Sequence, residues 1–227
     1  MRSILKKFFM ALTGLGLLGF LVTHLAGNLL IFKGSGAFNQ YADGLEHMGI
    51  LLIAAELGLA AIFVAHIVLA IKVTLENKAA RPIAYQVKKT TGESTFASRT
   101  MMITGLLILI FVVFHIIHFK LGAKKDHGVT VLWELVVGTF SNSPIYAIGY
   151  VVFMLILGTH LSHGASSVLQ TLGILKPHWR ANSRVVGALI GWGIALGFAS
   201  LPIYALLIKP APDAKPAAQF MIMEEKK

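Results

Sequence analysis

Long apolar stretches alternate with short polar ones along the chain. A helix that crosses a membrane needs about 20 mostly apolar residues, and five stretches reach that length. They span roughly residues 8–32, 48–72, 100–121, 145–170 and 185–208. The polar stretches between them are too short for a soluble domain. The pattern therefore predicts one all-α membrane domain over residues 1–227, a bundle of five transmembrane helices.

The two ends of the chain are interpreted separately. A basic N-terminus before an apolar run is typical of signal peptides. Here the run is longer than the about 7–15 residues of such a peptide, and no A-x-A-like cleavage site follows at the right distance. We therefore expect a retained first span. The Ala/Pro-rich and then charged segment 210–227 is expected to be a mobile tail. No internal repeat is strong enough to define.

Composition narrows the classes of cofactor. The chain is 56% hydrophobic and only 13% charged, whereas soluble domains carry about 25% charged residues. It contains no cysteine, which excludes a disulfide framework, cysteine-ligated iron–sulfur clusters and covalently attached c-type haem. A redox cofactor held by this chain alone must therefore be bound non-covalently, through histidine or methionine.

The placement of the basic residues predicts the orientation. The net charge is +10, but the basic residues flank apolar spans, so we interpret them as topology signals and a docking surface and expect no nucleic-acid partner. One side of the membrane would carry twelve of them: Arg2, Lys6, Lys7, Lys72, Lys78, Arg81, Lys88, Lys89, Arg99, Lys176, Arg180 and Arg184. The other would carry four: Lys33, Lys120, Lys124 and Lys125. Because Lys and Arg accumulate on the cytoplasmic side, we expect the N-terminus inside the cell and the C-terminus outside.

Six histidines fall within the spans: His24, His66, His115, His118, His160 and His163. Ionisable residues inside a bilayer are costly and usually functional. At about 1.5 Å per residue, His24 and His115 lie about 24 and 22 Å from the inner face. By the same measure His66 and His160 lie about 9 and 15 Å from it. Each level therefore receives one histidine from each of two different helices.

This pattern is what bis-histidine haem requires, because the iron takes one axial nitrogen from each side. Helices also hold such ligands rigidly. We therefore predict two haem b groups, one bound by His66 and His160 and the other by His24 and His115. Small residues that leave room for a porphyrin lie nearby: Gly14, Gly16 and Gly58.

Other roles for single histidines are weighed against haem. A lone histidine in a membrane helix is about as often a hydrogen-bonding group between helices as a ligand, but four at matched depths favour haem over structural or proton-handling roles. His118 and His163 each lie one turn from a predicted ligand. Either could replace its neighbour as ligand, or hydrogen-bond a haem propionate or a quinone.

Several stretches resemble one family of membrane proteins. They are LVTHLAGNLLIF, GAFNQYADGLEHM, AIFVAHIVLAIK, TGLLILIFVVFHIIHF and THLSHGASSVLQTLGI. In order and spacing this set is similar to the single-chain, five-helix, dihaem cytochrome b subunit of succinate:menaquinone oxidoreductases and quinol:fumarate reductases. It runs through four of the five spans. The resemblance places the axial ligands on His24, His66, His115 and His160, and it favours the first histidine of each doublet.

The resemblance implies a limited role in electron transport and the tricarboxylic acid cycle. Such a subunit anchors a flavoprotein and an iron–sulfur protein to the cytoplasmic face of the bacterial inner membrane, and it holds no dicarboxylate site. Its inner haem (His66, His160) and outer haem (His24, His115) connect those subunits with a menaquinone site near the outer surface. The direction, succinate oxidation or fumarate reduction, stays open.

Proton handling at the quinone site is the least defined part. Many relatives carry a histidine where this chain has Asp43, after the FNQYA stretch, and His47 follows one turn later. Glu56 is expected near the outer haem level, where it either carries protons to or from quinone or hydrogen-bonds across helices. Arg99, at the inner end of a span, either binds a haem propionate or fixes topology, and Arg81 is expected to fix topology.

Two rival classes are considered. The dihaem cytochromes b of hydrogenases and formate dehydrogenases place their histidines with different spacing. A haem-free, proton-handling membrane protein would more often have discontinuous helices with paired Gly or Pro breaks, whereas the spans here are mostly uninterrupted.

Overall fold

A computed structural model describes residues 2–80, 94–122, 132–174 and 177–208. In these ranges the chain forms helices and no strand. The helices are α1 (Arg2–Asn28), continued by a 3-10 turn (Leu29–Lys33), α2 (Ser35–Glu46), α3 (Ile50–Ala79), α4 (Phe96–His115), continued by a π-helix (Ile116–Leu121), α5 (Leu132–Asn142), α6 (Pro144–Thr171), a 3-10 turn (Pro177–Trp179) and α7 (Arg180–Leu207). The tail 210–227 and Arg81 lie outside the described residues.

Five helical segments within those ranges are long and apolar enough to cross a membrane: Ile4–Lys33, Ile50–Ala79, Phe96–Leu121, Pro144–Thr171 and Ala181–Leu207. The prediction of an all-α, multi-pass membrane protein with five spans is therefore confirmed. Large apolar side chains on the outside are exposed, Leu57 by 66% for example, as contact with lipid requires. Each spanning helix extends past its predicted span at one end at least, and α3 continues to Ala79 where the apolar pattern predicted an end near residue 72.

Successive spans run in opposite directions, which gives the bundle two ends. The Lys6 end holds the start of α1 and the end of α3, joined by an ion pair between Lys6 and Glu76. The Lys33 end holds α2, α5 and the turn after α1. The fold does not fix which end faces the cytoplasm, so the orientation stays a prediction.

Two short helices that the apolar pattern did not predict, α2 and α5, meet at the Lys33 end. The side-chain oxygen of Asn39 accepts a hydrogen bond from the backbone N–H of Trp133 (2.8 Å), and its amide donates to Glu134 (3.2 Å). Asn39 therefore satisfies a donor in the first turn of α5, where no partner exists within the helix. Tyr41 lies against Gly27 of α1, where an added Cβ would approach the Tyr41 ring to 2.4 Å. The FNQYA stretch thus holds α2 between α1 and α5.

The most extensive helix contact joins α6 and α7, and it depends on small residues. Gly187 and Gly191 form a G-x-x-x-G motif on α7. A Cβ on Gly191 would lie 2.4 Å from the backbone nitrogen of Ser162, and one on Gly187 would lie 2.5 Å from the Ser162 carbonyl oxygen. The two backbones are therefore in direct contact, as small residues allow in membrane helix pairs. Nearby, Gln170 donates a hydrogen bond to the Ser183 hydroxyl (2.9 Å).

Helix α3 is the least covered span. It packs mainly along α1, whereas α4 packs along α6, and α1 joins the two parts through α6 and α7. Within the described ranges, none of the most apolar window of α3 is buried, compared with 39% for the last span. The bundle therefore consists of an α1–α3 pair beside an α4–α6–α7 group.

Candidate functional site

His24 of α1 and His115 at the end of α4 lie together in the half of the bundle nearer the Lys33 end. Their ring centres are 6.0 Å apart and their ring planes make an angle of 86°. Each ring stacks on a phenylalanine one turn earlier in its own helix, with centre distances of 5.1 Å to Phe20 and 5.7 Å to Phe111. Nδ1 of His115 is buried and has no hydrogen-bond partner among the described residues.

His66 of α3 and His160 of α6 lie within electrostatic range of each other, and we call them the second pair. Nδ1 of His66 lies 3.1 Å from the hydroxyl oxygen of Thr13 on α1. Nδ1 of His160 lies 3.1 Å from the hydroxyl oxygen of Thr104 on α4. Each histidine pair thus joins one helix of the α1–α3 pair to one helix of the α4–α6–α7 group.

A short repeat relates α1 to α4 and sets the distance between the two pairs. Thr-Gly-Leu begins at residue 13 in α1 and at residue 104 in α4, and a histidine follows 11 residues after the threonine in both helices. The threonines of the repeat lie at the level of the His66/His160 pair, and the histidines of the repeat are His24 and His115 themselves. Eleven residues correspond to about 16 Å along a helix axis. In the structure the threonine of each repeat contacts a histidine of the second pair, although the repeat is too short to be recognised from the sequence alone.

His118 lies beside His115 but its ring is directed elsewhere. The chain changes from α-helix to π-helix immediately after His115, and such wider turns often occur at functional sites. Nε2 of His118 lies 3.1 Å from the hydroxyl of Thr139 on α5. His163 lies one turn after His160 on α6, partly buried and within electrostatic range of it.

Two further charged residues from the sequence analysis lie near opposite ends of the bundle. Glu56 of α3 forms an ion pair with Lys120 of the π-helix, and the two side chains are 42% and 39% exposed. The carboxylate therefore has an ammonium partner within the membrane-spanning region. Arg99 is exposed in the first turn of α4, at the Lys6 end.

Asp43 and His47 lie one turn apart on the surface at the end of α2, outside the spans. Nδ1 of His47 donates to the backbone carbonyl of Asp43 (2.8 Å) and lies 3.6 Å from its carboxylate. The hydrogen bond to this carbonyl and then the carboxylate charge raise the pKa of His47 above its ordinary value of 6.5. Any stability this gives is present at low pH and is lost as the pH rises through the folded-state pKa of His47.

Replacing Asp43 with asparagine is expected to lower the pKa of His47 toward its ordinary value without abolishing the whole shift, because the backbone hydrogen bond remains. An NMR titration of the His47 ring protons in micelles, assigned with a His47→Gln variant, measures this. Glu46→Gln is the matched control and should have a smaller effect, because Glu46 contributes least to the shift. An unchanged pKa in Asp43→Asn would contradict the assignment.

The spacing of the His24 and His115 rings matches that of two axial ligands on one haem iron, whereas the described residues offer too few ligands for a bare metal ion. Within the described ranges, no three His, Cys, Asp or Glu side chains converge to hold a metal ion. A porphyrin supplies four of the iron's ligands itself, so the protein needs to add only two. Two imidazoles on opposite sides of a metal, each about 2 Å from it, have ring centres roughly 6 Å apart, and the His24/His115 rings are 6.0 Å apart.

A glycine lies beside each histidine ring of the second pair. A Cβ on Gly14 would lie 3.4 Å from Cε1 of His66. The corresponding distance from Gly105 to Cε1 of His160 is also 3.4 Å. Gly16 packs near Ile62, while a Cβ on Gly58 would meet no described atom within 4 Å. A Cβ on Gly14 or Gly105 would thus be in ordinary van der Waals contact with a ring of the second pair, and among the described residues open space lies beside Gly58.

Comparison with protein families, with curated proteins and with solved structures gives no match for this chain. The sequence analysis missed Thr13, Thr104 and Gly105, although the Thr-Gly-Leu repeat and its fixed spacing to a histidine were present as a signal. It also missed Lys120 as the partner of Glu56.

Proposed function

We propose that this chain is the membrane-anchor, dihaem cytochrome b subunit of a succinate dehydrogenase or fumarate reductase complex. The observation that carries the proposal is the meeting of four histidines, from four different spans, as two pairs at two levels of one bundle. Two b haems bound there would supply one-electron transfer along the bundle. The ordered set of family-like stretches adds support for this complex in particular.

In this proposal the histidines bind and orient, and the spans exclude water. His66 and His160 hold the group nearer the Lys6 end, and His24 and His115 hold the group nearer the Lys33 end. The apolar side chains around each pair keep the site dry, which favours non-covalent retention of an apolar porphyrin. The polar stretches between the spans are too short to hold a dicarboxylate site. The enzymatic role left to this chain in the complex is therefore its reaction with menaquinone.

The two ends of the bundle then take different partners. Under the predicted orientation, the basic Lys6 end faces the cytoplasm of a bacterial cell and docks the flavoprotein and iron–sulfur subunits. The Lys33 end receives menaquinone, and Glu56, which forms an ion pair with Lys120, handles the proton there. Asp43 and His47 offer a second, surface-exposed route for that proton. Arg99 lies at the docking end, five residues before Thr104 in the sequence, and there it binds a propionate of the haem held by His66 and His160.

A second candidate is the cytochrome b subunit of a hydrogenase or formate dehydrogenase, since it would use the same kind of histidine pairs. The third is a haem-free membrane protein in which the histidines handle protons. The three candidates differ in haem content and in the metals of the attached soluble subunits, so a single purification separates them.

The test is purification of the complex from membranes in mild detergent, followed by haem, flavin and metal analysis. We expect two b haems per chain by pyridine haemochromogen assay, together with flavin and iron–sulfur clusters and menaquinone-linked succinate or fumarate activity. Nickel or molybdenum in the co-purified subunits would overturn the proposal in favour of a hydrogenase or formate dehydrogenase subunit. A colourless chain without haem would overturn the proposal in favour of the third.

A further inference from the structure

Each histidine of the His66/His160 pair contacts a threonine of a neighbouring helix. Thr13 reaches Nδ1 of His66 and Thr104 reaches Nδ1 of His160, both at 3.1 Å. The two contacts come from different helices and join different helix pairs, yet they have the same atoms and the same length. Packing of two helices does not by itself require the same threonine–histidine contact at both places.

The hydrogen-bond partners of each hydroxyl indicate which atom carries the proton. The Thr13 hydroxyl lies 3.0 Å from the carbonyl oxygens of both Phe9 and Met10. The Thr104 hydroxyl lies 3.0 Å from the Thr100 carbonyl and 3.1 Å from that of Met101. A hydroxyl has one proton, and a carbonyl can only accept. When that proton goes to the carbonyls of the preceding turn, the hydroxyl offers only lone pairs to the imidazole.

A histidine whose Nδ1 faces lone pairs must carry its own proton on Nδ1. Its Nε2 then has a free lone pair, which is the form that binds a metal. A hydrogen bond from the other ring nitrogen also fixes the ring's orientation and makes the ligand more basic. The glycine that follows the threonine lies beside this ring, since a Cβ on Gly14 would be 3.4 Å from Cε1 of His66.

The His24/His115 pair differs in this respect. Nδ1 of His24 has the amide nitrogen of Asn28 at 3.4 Å, and Nδ1 of His115 is buried without a partner in the described part of the chain. The amide nitrogen of Asn28 can only donate a hydrogen bond, so among the described residues only the His66/His160 pair has acceptors that place the ring proton on Nδ1. Since a more basic ligand stabilises ferric over ferrous iron, the difference would also give haems bound at the two levels different reduction potentials.

We propose that Thr13 and Thr104 are matched positioning residues, which accept the Nδ1 protons of His66 and His160 and thereby present both Nε2 lone pairs to one haem iron. This inference rests on the proposed function, because the iron is part of that proposal. It assigns a chemical role to two residues that touch neither the iron nor a substrate.

The experiment compares Thr13→Val and Thr104→Val with wild type in the purified complex. Valine keeps the shape of threonine but cannot accept the proton. We expect an upward shift in one of the two haem midpoint potentials, the same one in both variants, and faster transfer of that haem to apomyoglobin. Weakening of a metal site by loss of such a partner is typically about 10- to 100-fold. The other haem, with its unchanged potential, reports that the bundle is intact.

Two controls isolate the hydrogen bond. Thr13→Ser and Thr104→Ser keep the hydroxyl and should restore the wild-type potential. Thr100→Val removes a hydroxyl that bonds back to the Phe96 carbonyl (3.0 Å) in the same helix, and it should leave both potentials unchanged. Serine variants that behave like valine would mean that packing, not the hydrogen bond, is responsible, and would overturn the inference.

The outcomes separate this inference from the proposed function. A wild-type complex without haem would overturn both. Two haems with both potentials unchanged in the valine variants would overturn the inference alone. Shifts in different haems for the two variants would also overturn it, because Thr13 and Thr104 would then serve separate sites.

Discussion

Under the proposed function, replacing His160 with alanine is expected to remove the haem proposed for the His66/His160 level and to leave the other in place. The iron at that level would keep His66 as its only protein ligand, so a haem held by two axial histidines would lose half of its protein ligation. Haem per chain should fall to about half, and His66→Ala should leave the same reduced-minus-oxidised spectrum as His160→Ala.

The complementary variants sharpen this prediction. His24→Ala and His115→Ala are expected to remove the other haem, so the spectrum that remains should be the one missing from the first two variants. His118→Ala and His163→Ala are the matched controls, each one turn from a predicted ligand, and both should keep two haems. Loss of haem from a control variant, or the same remaining spectrum in all four variants, would contradict the pairing.

Replacing Gly191 with leucine is expected to prevent stable packing of α6 on α7. A Cβ at this position would meet the backbone nitrogen of Ser162 at 2.4 Å, and backbone cannot move aside as a flexible side chain can. Overpacking of a well-filled core costs typically about 1–3 kcal/mol and occasionally more. Because the clash here is with backbone in the most extensive contact of the bundle, we expect the upper end of that range or beyond.

The measurement is the yield of monodisperse protein in detergent together with its thermal unfolding temperature. Gly193→Leu is the matched control, since it lies two residues further along the same helix and a Cβ there meets no atom of the described ranges within 4 Å. We expect Gly193→Leu to behave like wild type and Gly191→Leu to aggregate or unfold at a much lower temperature. Equal stability of the two variants would show that the α6–α7 contact is not as close as the structure has it.

The sequence predicted the spans well because their signal is strong and local. A run of about twenty apolar residues is typical of a membrane-crossing helix, and each span can be recognised without knowing its neighbours. Helices α2 and α5 gave no comparable signal, because both are short and their stability depends on contacts between them. Asn39 can be recognised as a cap for α5 only once the two helices are known to meet.

The depth of each histidine along its span was predictable for the same reason, whereas its role as a ligand stays a prediction. Depth along a span follows from counting residues, so the assignment of histidines to two levels needed no structure. The contacts of Thr13 with His66 and of Lys120 with Glu56 depend on how each helix is rotated about its own axis, which apolar spans with little amphipathic contrast do not encode. The π-helix after His115 is a further case, because its wider turn changes the direction of every later side chain in that span.

The spacing of 11 residues between the two histidine levels also has an electrical consequence. About 16 Å along the axis is roughly half of the about 30 Å hydrocarbon core. A charge that moves from one level to the other therefore crosses about half of the transmembrane voltage, which is worth about 1.2 kcal/mol for every 100 mV. Under the predicted orientation, an inside-negative voltage assists an electron moving from the His66/His160 level to the His24/His115 level and opposes the reverse. In the proposed function, menaquinone reduction by succinate would thus be a voltage-assisted reaction.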